Sequence, residues 1–366
     1  MKILFVMVDG GGNIPPQVAV ARALQARGAD ITVVGHRGIR ERVQAAGLSF
    51  EAFSDGTHFD PTIRRSSIMA SFARVSADGR FARSVVDAAR RHGADAVVVD
   101  MILSASIPGI AREIPTAVFV HCFYRAVQDL AAGPVGGLLR LRGTDPLGAE
   151  HTGLLQVVSA RADLDPVLGT PELCHTGVVW QGVPRAATPA RIPRILVSLS
   201  TNAFAGQRRM LQNILDAVAP LPVDVTVTVG PSIAASGLRI PANTSMHEWL
   251  DHDDVLATAS LVIGHGGHST AMRALSFGVP MVVLPANRLI DQKRVGAALE
   301  SAGAGVMLPK YARPQRIRSA VQAMLNDGGY RRAAGHLGEQ IRGRDGAEVA
   351  ADAIGDFVRK SQLVQS

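Results

Sequence analysis

Residues 260–292 read SLVIGHGGHSTAMRALSFGVPMVVLPANRLIDQ. The apolar run Leu261–Ile263 is rich in β-branched side chains and predicts a buried strand. A glycine-rich turn, Gly264–His268, follows it, and Ser269 with Thr270 opens a predicted amphipathic helix that a Gly-Val-Pro sequence ends. Met281–Leu284 is predicted as the next buried strand. The stretch is therefore a strand, a glycine-rich turn, a helix and a second strand.

The start of this helix is a predicted anion site. A first helical turn presents unpaired backbone N–H groups and the positive end of the helix dipole. Gly266 lets a phosphate approach the backbone, and His265 adds an imidazole donor or a positive charge. The residues predicted to contact a diphosphate are His265, Gly267, His268, Ser269 and Thr270. Asp291 and Gln292 suit the hydroxyls of a sugar. The alternative is an ordinary strand–helix turn without a ligand.

These residues resemble a known signature. HGGHST at 265–270, ALSFGVPMVVLP at 274–285 and DQ at 291–292 are similar to the donor-binding motif of GT-B glycosyltransferases. The resemblance is to family 1, the UDP-glycosyltransferase-like enzymes that use nucleotide-sugars, and especially to actinobacterial enzymes that glycosylate antibiotics and other natural products. Their usual form is HGGxGT, so Ser269 stands where a third glycine is expected. The resemblance implies an α/β protein of GT-B fold, with two Rossmann-like domains facing across a cleft.

The chain is long enough for two such domains, with 366 residues of which 47% are hydrophobic. A proline-rich, uneven stretch over 183–193 indicates a linker. We expect an N-terminal acceptor-binding domain over 1–182 and a C-terminal nucleotide-sugar-binding domain over 194–343. A last helix over 344–366 is expected to pack back on the N-terminal domain. The residues of its predicted apolar face are Val349, Ala353, Ile354 and Phe357.

Composition restricts the partners. The formal charge is +7, but the lysines and arginines form no run, and only 4% of residues are aromatic, which argues against a nucleic-acid partner. The positive field suits an anionic donor or an anionic membrane surface, or simply reflects an arginine-rich composition. The two cysteines, Cys122 and Cys174, form no metal or redox motif and fit a reducing cytoplasm. The N-terminal apolar run is short and ends in Asp9, so it is expected to be a first strand and not a signal peptide. The sequence contains no run of roughly 18 consecutive apolar residues, so no stable membrane insertion is expected.

The N-terminus begins with a predicted strand, Ile3–Val8, a glycine-rich turn and a helix. This order suggests a dinucleotide fold, but GGGNIPP is not GxGxxG, and no acidic residue ends the second strand, Ile31–Val34. The family resemblance implies a GHxNP-like turn whose histidine is the general base. Asn13 stands at that position. A carboxamide is not basic, so Asn13 is expected to orient the acceptor instead. The alternative is a residue that only forms the turn.

Two other residues are candidates for the missing base. Asp100 ends the predicted strand 95–100, and the family pairs an aspartate here with the catalytic histidine. Asp100 is expected to act as base, directly or through a water, or else to cap the next helix. His121 follows the predicted strand 115–120, at the same edge of the sheet. It is a second candidate base, or a structural histidine.

The stretch 53–80 lacks clear periodicity and is expected to be a long loop with one helix at most, and the family resemblance implies that such loops form the acceptor pocket. Residues 129–153 are expected to be a second irregular, apolar stretch that lines an apolar acceptor site, with a simple loop or a membrane-surface segment as the alternatives. The strands predicted to complete the first domain are Leu155–Ser159 and Val178–Trp180.

The second domain is expected to begin with a strand at Ile195. Ser200 and Thr201 follow it and would contact the donor nucleotide, or only cap the helix from about Gln207. Trp249 and Leu250 lie in a segment that resembles the family's nucleobase cradle, although Trp249 is equally suited to a core position.

The sequence therefore predicts an inverting, metal-independent glycosyltransferase. It would move a sugar from a UDP- or dTDP-sugar co-substrate to a small apolar natural-product acceptor, without a further cofactor and with a homodimer as one possible assembly. Four alternatives stay open: a lipid-acceptor glycosyltransferase, a nucleotide-sugar epimerase, a non-catalytic helper that binds the donor, and a nucleotide-binding structural partner.

Overall fold

The computed structural model describes residues 1–59, 68–180, 183–199, 204–230, 236–287 and 291–365. The chain forms two compact units. Unit 1 contains Met1–Gln181 together with Asp345–Ser366, and unit 2 contains Gly182–Arg344. Each unit is a parallel β-sheet with helices between its strands, so the prediction of two α/β domains of this class is confirmed.

Unit 1 holds a seven-stranded parallel sheet within the described residues, in the order β3-β2-β1-β4-β5-β6-β7. Its strands are β1 (Lys2–Met7), β2 (Asp30–Gly35), β3 (Ser49–Ala52), β4 (Ala96–Asp100), β5 (Thr116–Val120), β6 (Gln156–Val158) and β7 (Leu173–His175). Its helices before the second unit are α1 (Ile14–Ala26), α2 (Arg40–Ala45), α3 (Ile68–Ser76), α4 (Phe81–His92), α5 (Ile107–Ala111), α6 (Tyr124–Ala132), α7 (Pro134–Leu141) and α8 (Gly148–His151). The central strands β1, β4 and β5 are buried on both faces, which explains their continuous apolar sequence.

Unit 2 holds a six-stranded parallel sheet within the described residues, in the order β10-β9-β8-β11-β12-β13. Its strands are β8 (Arg194–Ser198), β9 (Asp224–Thr228), β10 (Thr244–His247), β11 (Leu261–Gly264), β12 (Met281–Val283) and β13 (Gly305–Met307). Its helices are α9 (Gln207–Val218), α10 (His252–Leu256), α11 (His268–Ser276), α12 (Gln292–Ser301), α13 (Pro314–Asn326) and α14 (Gly328–Arg342). The predicted strand–turn–helix–strand unit is thus β11, α11 and β12, at the middle of this sheet.

The last helix, α15 (Gly346–Gln365), belongs to unit 1 and packs on α1. Its buried residues are Ala347, Ala350, Ala351, Ile354 and Val358. The predicted face is correct in part: Ile354 is buried and Phe357 packs against the same core, as expected, whereas Val349 and Ala353 are only half-buried. Arg27, just after α1, bonds with Glu348 at 2.6 Å and Asp352 at 2.7 Å, which keeps the charged side of α15 beside the end of α1.

Two predicted features of unit 1 are wrong. The stretch 129–153 is mostly helical, because Pro134 occupies the first turn of α7, where its missing N–H costs nothing, and Gly136 fits against the backbone of Ala131. No strand forms at Val178–Trp180. Its place at the sheet edge is taken by β7, while the carbonyl of Val178 lies against Gly346, where a Cβ would come within 2.5 Å of it.

The proline-rich segment expected to be a linker is attached to unit 2 by its backbone. The N–H of Ala187 donates to the carbonyl of Phe277 at 2.8 Å, and the N–H of Thr188 donates to Ala257 at 2.9 Å. Arg331 also donates to the carbonyl of Ala187. In the part of the chain that the structure describes, no helix is both long and apolar enough to cross a bilayer.

Candidate functional site

The turn between β11 and α11 brings backbone close to any ligand at the helix start. Gly266 has φ 80°, and a Cβ there would lie 2.6 Å from Cγ1 of Val283, so only glycine fits. Gly267 is the N-cap of α11, and a Cβ on it would lie 2.6 Å from Nε2 of His265. Because the N-cap is a glycine, the N-cap position itself offers no side chain to cap the helix. The helix begins at His268, one residue before the predicted start, and presents its first turn as a potential anion site.

His265 lies at this turn as a buried, uncharged ring. Burial lowers its pKa to about 4, and a hydrogen bond with the backbone of Ser198 opposes this shift only in part. The alternative that His265 supplies a positive charge is therefore wrong at neutral pH. The imidazole stacks near the ring of Phe204, with the ring centroids 6.3 Å apart. It is therefore a neutral polar group at the start of α11.

His268 and Asp291 form a buried pair beside the same turn. Nδ1 of His268 lies 3.0 Å from Oδ2 of Asp291, and both side chains are at most 10% exposed. Gln292 is also buried, and its Oε1 accepts hydrogen bonds from the N–H groups of Ala286 and Asn287. These contacts bring Asp291 and Gln292 next to the helix start. The same contacts use Oδ2 of Asp291 and Oε1 of Gln292, oxygens that the sequence analysis assigned to sugar hydroxyls. Binding of sugar hydroxyls by Asp291 and Gln292 stays a prediction.

The remaining residues predicted to bind the donor fall into three groups by their location. Ser200 and Thr201 lie outside the described residues. Ser269 and Thr270 lie in the first turn of α11, where Ser269 is exposed and Thr270 is half-buried, and their contact with a diphosphate stays a prediction. Trp249 is 78% exposed, so the alternative of a core tryptophan is wrong. Leu250 is half-buried beside it, ahead of the Asp251 N-cap of α10.

Lys310 is a candidate that the sequence analysis missed. Its Nζ donates to the carbonyl of Ala286 at 2.8 Å and lies 5.1 Å from the ring centroid of Phe204, which stacks near His265. Lys310 follows β13, so it lies at the carboxyl edge of the sheet, as the residues after β11 do. The rule that ligands bind at this edge would have identified it.

In unit 1, Asn13 and Asp100 form one buried polar cluster. Nδ2 of Asn13 donates to Oδ2 of Asp100 and to the carbonyl of Val8, both at 2.7 Å, and its Oδ1 accepts from the N–H of Gly10. Both N–H groups of Asn13 are therefore used inside the protein. With 2% exposure, Asn13 forms the turn and holds Asp100, and it has no N–H left with which to orient an acceptor.

Gln17 is a second residue that the sequence analysis missed. It lies one helical turn after Asn13, and its Nε2 donates to Oδ2 of Asp100 at 2.7 Å and to the carbonyl of Asn13 at 3.1 Å. The i, i+4 spacing from Asn13 was the available signal. Two neutral carboxamides thus hold the same carboxylate oxygen.

Asp100 is fully buried, and its other oxygen caps the following turn by accepting from the N–H of Ile102 at 2.9 Å. The capping alternative is confirmed. Direct proton removal by Asp100 is not supported, because the carboxylate has no exposed surface. His121 is better placed than Asp100 to remove a proton from an acceptor. Its Nδ1 lies 3.7 Å from Oδ1 of Asp100, and its side chain is 21% exposed.

Among the described residues, no group of three or more His, Cys, Asp or Glu side chains has a geometry that would hold a metal ion. Cys122 and Cys174 are both partly buried.

Comparison with known proteins agrees with this geometry. Residues 212–354 match the family model for the erythromycin biosynthesis protein CIII-like C-terminal domain. The NDP-glycosyltransferase YjiC of Bacillus subtilis is 31% identical over 175 residues, a match that covers 47% of this chain and 44% of that protein. The aligned region thus spans less than half the length of this relative.

Solved structures extend the similarity to the whole chain. The calicheamicin glycosyltransferase CalG4 superposes with a TM-score of 0.74 at 22% identity, over 98% of both chains. The glycosyltransferase VinC, solved in complex with dTDP, gives a TM-score of 0.73 at 18% identity, over 99% of this chain and 100% of that one. The GT-B fold is therefore established, and the resemblance to family-1 glycosyltransferases of the antibiotic type is confirmed.

Proposed function

We propose that this chain is an inverting glycosyltransferase that transfers a sugar from a UDP- or dTDP-sugar to a hydroxyl of a small apolar natural product. The observation that carries the proposal is the start of α11. There, Gly266 and Gly267 leave room beside the N-terminal turn of a helix whose N-cap is a glycine, which suits the diphosphate of a nucleotide-sugar. YjiC is named an NDP-glycosyltransferase and VinC was solved with dTDP, which supports the same donor class.

The leaving diphosphate would be stabilised by fixed dipoles and one cation. The backbone N–H groups at the helix start point toward the developing charge, and they need no rearrangement during the reaction. Because His265 is neutral, we assign the positive charge at this edge to Lys310, since both side chains lie near the ring of Phe204. The bond between the anomeric carbon and the diphosphate oxygen breaks with its electron pair on the diphosphate. No metal ion is needed in this scheme.

The acceptor oxygen would attack the anomeric carbon from the opposite face, which inverts the configuration. We place the acceptor at the carboxyl edge of the unit 1 sheet, where Asp100 and His121 end neighbouring strands. The apolar character of the acceptor rests on the similarity to CalG4, which is named a calicheamicin glycosyltransferase.

A second candidate function is a helper protein that binds the donor without turning it over. The observation that favours it is Asn13, a non-basic residue that binds Asp100 where the family's histidine is expected. The donor site would then be retained while the transfer step is lost.

Incubation of the purified chain with a panel of UDP- and dTDP-sugars tests the proposal. Each donor is combined with one phenolic and one aliphatic acceptor, and products are read by mass spectrometry. A product heavier than the acceptor by one sugar residue is expected, with inverted configuration by NMR of the anomeric proton. Donor binding without product across the panel would favour the helper function, and donor consumption without acceptor would indicate an epimerase or a hydrolase.

A further inference from the structure

The sheet of unit 1 brings His121 to Asp100. Strands β4 and β5 are parallel neighbours, and Asp100 pairs with Phe119 in their register. His121 lies two residues beyond Phe119, so its side chain starts from the same face as that of the paired residue. This is why the imidazole comes to lie 3.7 Å from the carboxylate, although the two residues are 21 positions apart in the sequence.

The surroundings of Asp100 fix which of its oxygens faces the imidazole. Oδ2 accepts from the two carboxamides of Asn13 and Gln17, each at 2.7 Å. Oδ1 faces Nδ1 of His121 and, among the described residues, accepts one backbone hydrogen bond, from Ile102. The carboxamides carry no proton that can be lost in the reaction, so they act as fixed supports that hold Oδ1 toward the histidine.

An anionic oxygen beside Nδ1 selects the tautomer of His121. A carboxylate only accepts hydrogen bonds, so the neutral imidazole carries its hydrogen on Nδ1 and its lone pair on Nε2. Nδ1 is sealed from solvent and has no hydrogen-bond partner in the described part of the chain, whereas 21% of the side chain is exposed. Exposure therefore lies on another part of the ring, which leaves Nε2 as the nitrogen available to an acceptor. A small ring rotation would close the gap to Asp100.

We infer that His121 is the general base of the transfer and Asp100 its positioning residue, so that the base has moved from the start of α1 to the end of β5. This assignment rests on the proposed glycosyl transfer. In the step, Nε2 of His121 takes the proton of the acceptor hydroxyl while the acceptor oxygen bonds to the anomeric carbon. The bond to the diphosphate breaks, the nucleoside diphosphate leaves with the electron pair, and the imidazolium then releases its proton to solvent.

The test compares two acceptors that differ in their need for a base. One is an aliphatic alcohol, and the other is a fluorinated phenol that is already ionised at pH 8. With the donor identified by the panel, His121→Gln is expected to lower kcat/KM for the alcohol on the order of 10²- to 10⁴-fold, the usual contribution of a general base. The reaction of the phenolate should fall less than about 10-fold, and the donor Kd should not change.

His92→Gln is the matched control. Nε2 of His92 lies 2.7 Å from a carboxylate oxygen of Glu51, but this pair is exposed and precedes β4, at the amino edge of the sheet. The kcat/KM of the His92→Gln variant should equal that of the wild type with both acceptors. An equal loss with alcohol and phenolate in His121→Gln, or no loss with either, overturns the assignment while the proposed function stands. Absence of product from the wild-type chain refutes the proposed function and the assignment with it.

A measurement that needs no turnover checks the tautomer. In ¹⁵N-histidine-labelled protein, the ring signals of His121 are identified by their loss in His121→Gln or His121→Asn, whichever keeps the wild-type circular dichroism spectrum. The neutral ring is expected to carry its hydrogen on Nδ1. A ring with its hydrogen on Nε2 has no lone pair for the acceptor proton and overturns the assignment.

Discussion

Acidification from pH 7 to pH 4 should destabilise unit 2 through one buried side chain, His265. Burial lowers its pKa from 6.5 to about 4 in the folded protein. One pKa unit corresponds to about 1.4 kcal/mol, so the difference between the two states amounts to about 3 kcal/mol. The unfolded chain binds a proton at higher pH than the folded chain does. The contribution of the neutral His265 to the free energy of unfolding is therefore complete above about pH 6.5 and is lost as the pH falls toward 4.

The assay is urea unfolding followed by circular dichroism at pH 7, 6, 5 and 4, for the wild type and for His265→Gln. Hydrogen exchange of peptides that contain β11 and β12 assigns the transition to unit 2. The variant cannot titrate at this position, so its free energy of unfolding should fall by about 3 kcal/mol less than that of the wild type over this range.

The comparison of variants removes other contributions. His252 in unit 2 is half-buried and desolvation lowers its pKa as well, but it is present in both proteins and its effect cancels. His336→Gln, at an exposed position on α14, is the control and should reproduce the pH dependence of the wild type. Parallel pH profiles of His265→Gln and the wild type would refute the buried, neutral His265.

Two further predictions concern the donor site and the core. Lys310→Met should weaken donor binding several-fold, because it removes a positive charge near the predicted anion site. The thermal midpoint should change by no more than about 2 °C, because methionine retains the aliphatic stem. Calorimetric titration with UDP and dTDP checks this, and equal affinity of variant and wild type would exclude Lys310 from the site. Ile354→Ala should lower the free energy of unfolding by about 2–5 kcal/mol, since Ile354 is fully buried in the core shared by α15 and α1. Leu363→Ala, at a side chain that is 76% exposed, should change it by no more than about 0.5 kcal/mol. Urea unfolding of the two variants decides whether α15 is part of the unit 1 core.

The chain order of the main elements was predictable because local patterns carry it. Continuous apolar runs identified the central strands, and the helices Phe81–His92 and from Gln207 begin where their periodicity begins. The glycine-rich turn before α11 was predictable for the same reason, since its glycines mark a backbone that a Cβ would obstruct. Asp100 and His121 were identified as candidates because polar residues that end buried strands collect at one edge of a parallel sheet.

The errors concern stretches where the local signal is ambiguous. Glycine and proline suggested a loop over 129–153, but here they begin α7 and let it pack closely against α6. The apolar run at Val178–Trp180 has the composition of a strand, yet the sheet edge is taken by β7 and the run packs beside α15. Competition between segments for one edge is not visible in either segment alone.

The sequence by itself determined the two parallel α/β units and the glycine-rich turn before α11, because periodicity and glycine positions act within a few residues. Only the tertiary structure decided the chemistry of the polar groups. It buried His265 and so removed its charge, and it joined Asn13 and Gln17 to Asp100 across 87 and 83 positions. Those contacts depend on which strands become neighbours, and the same neighbours place Asp100 beside His121.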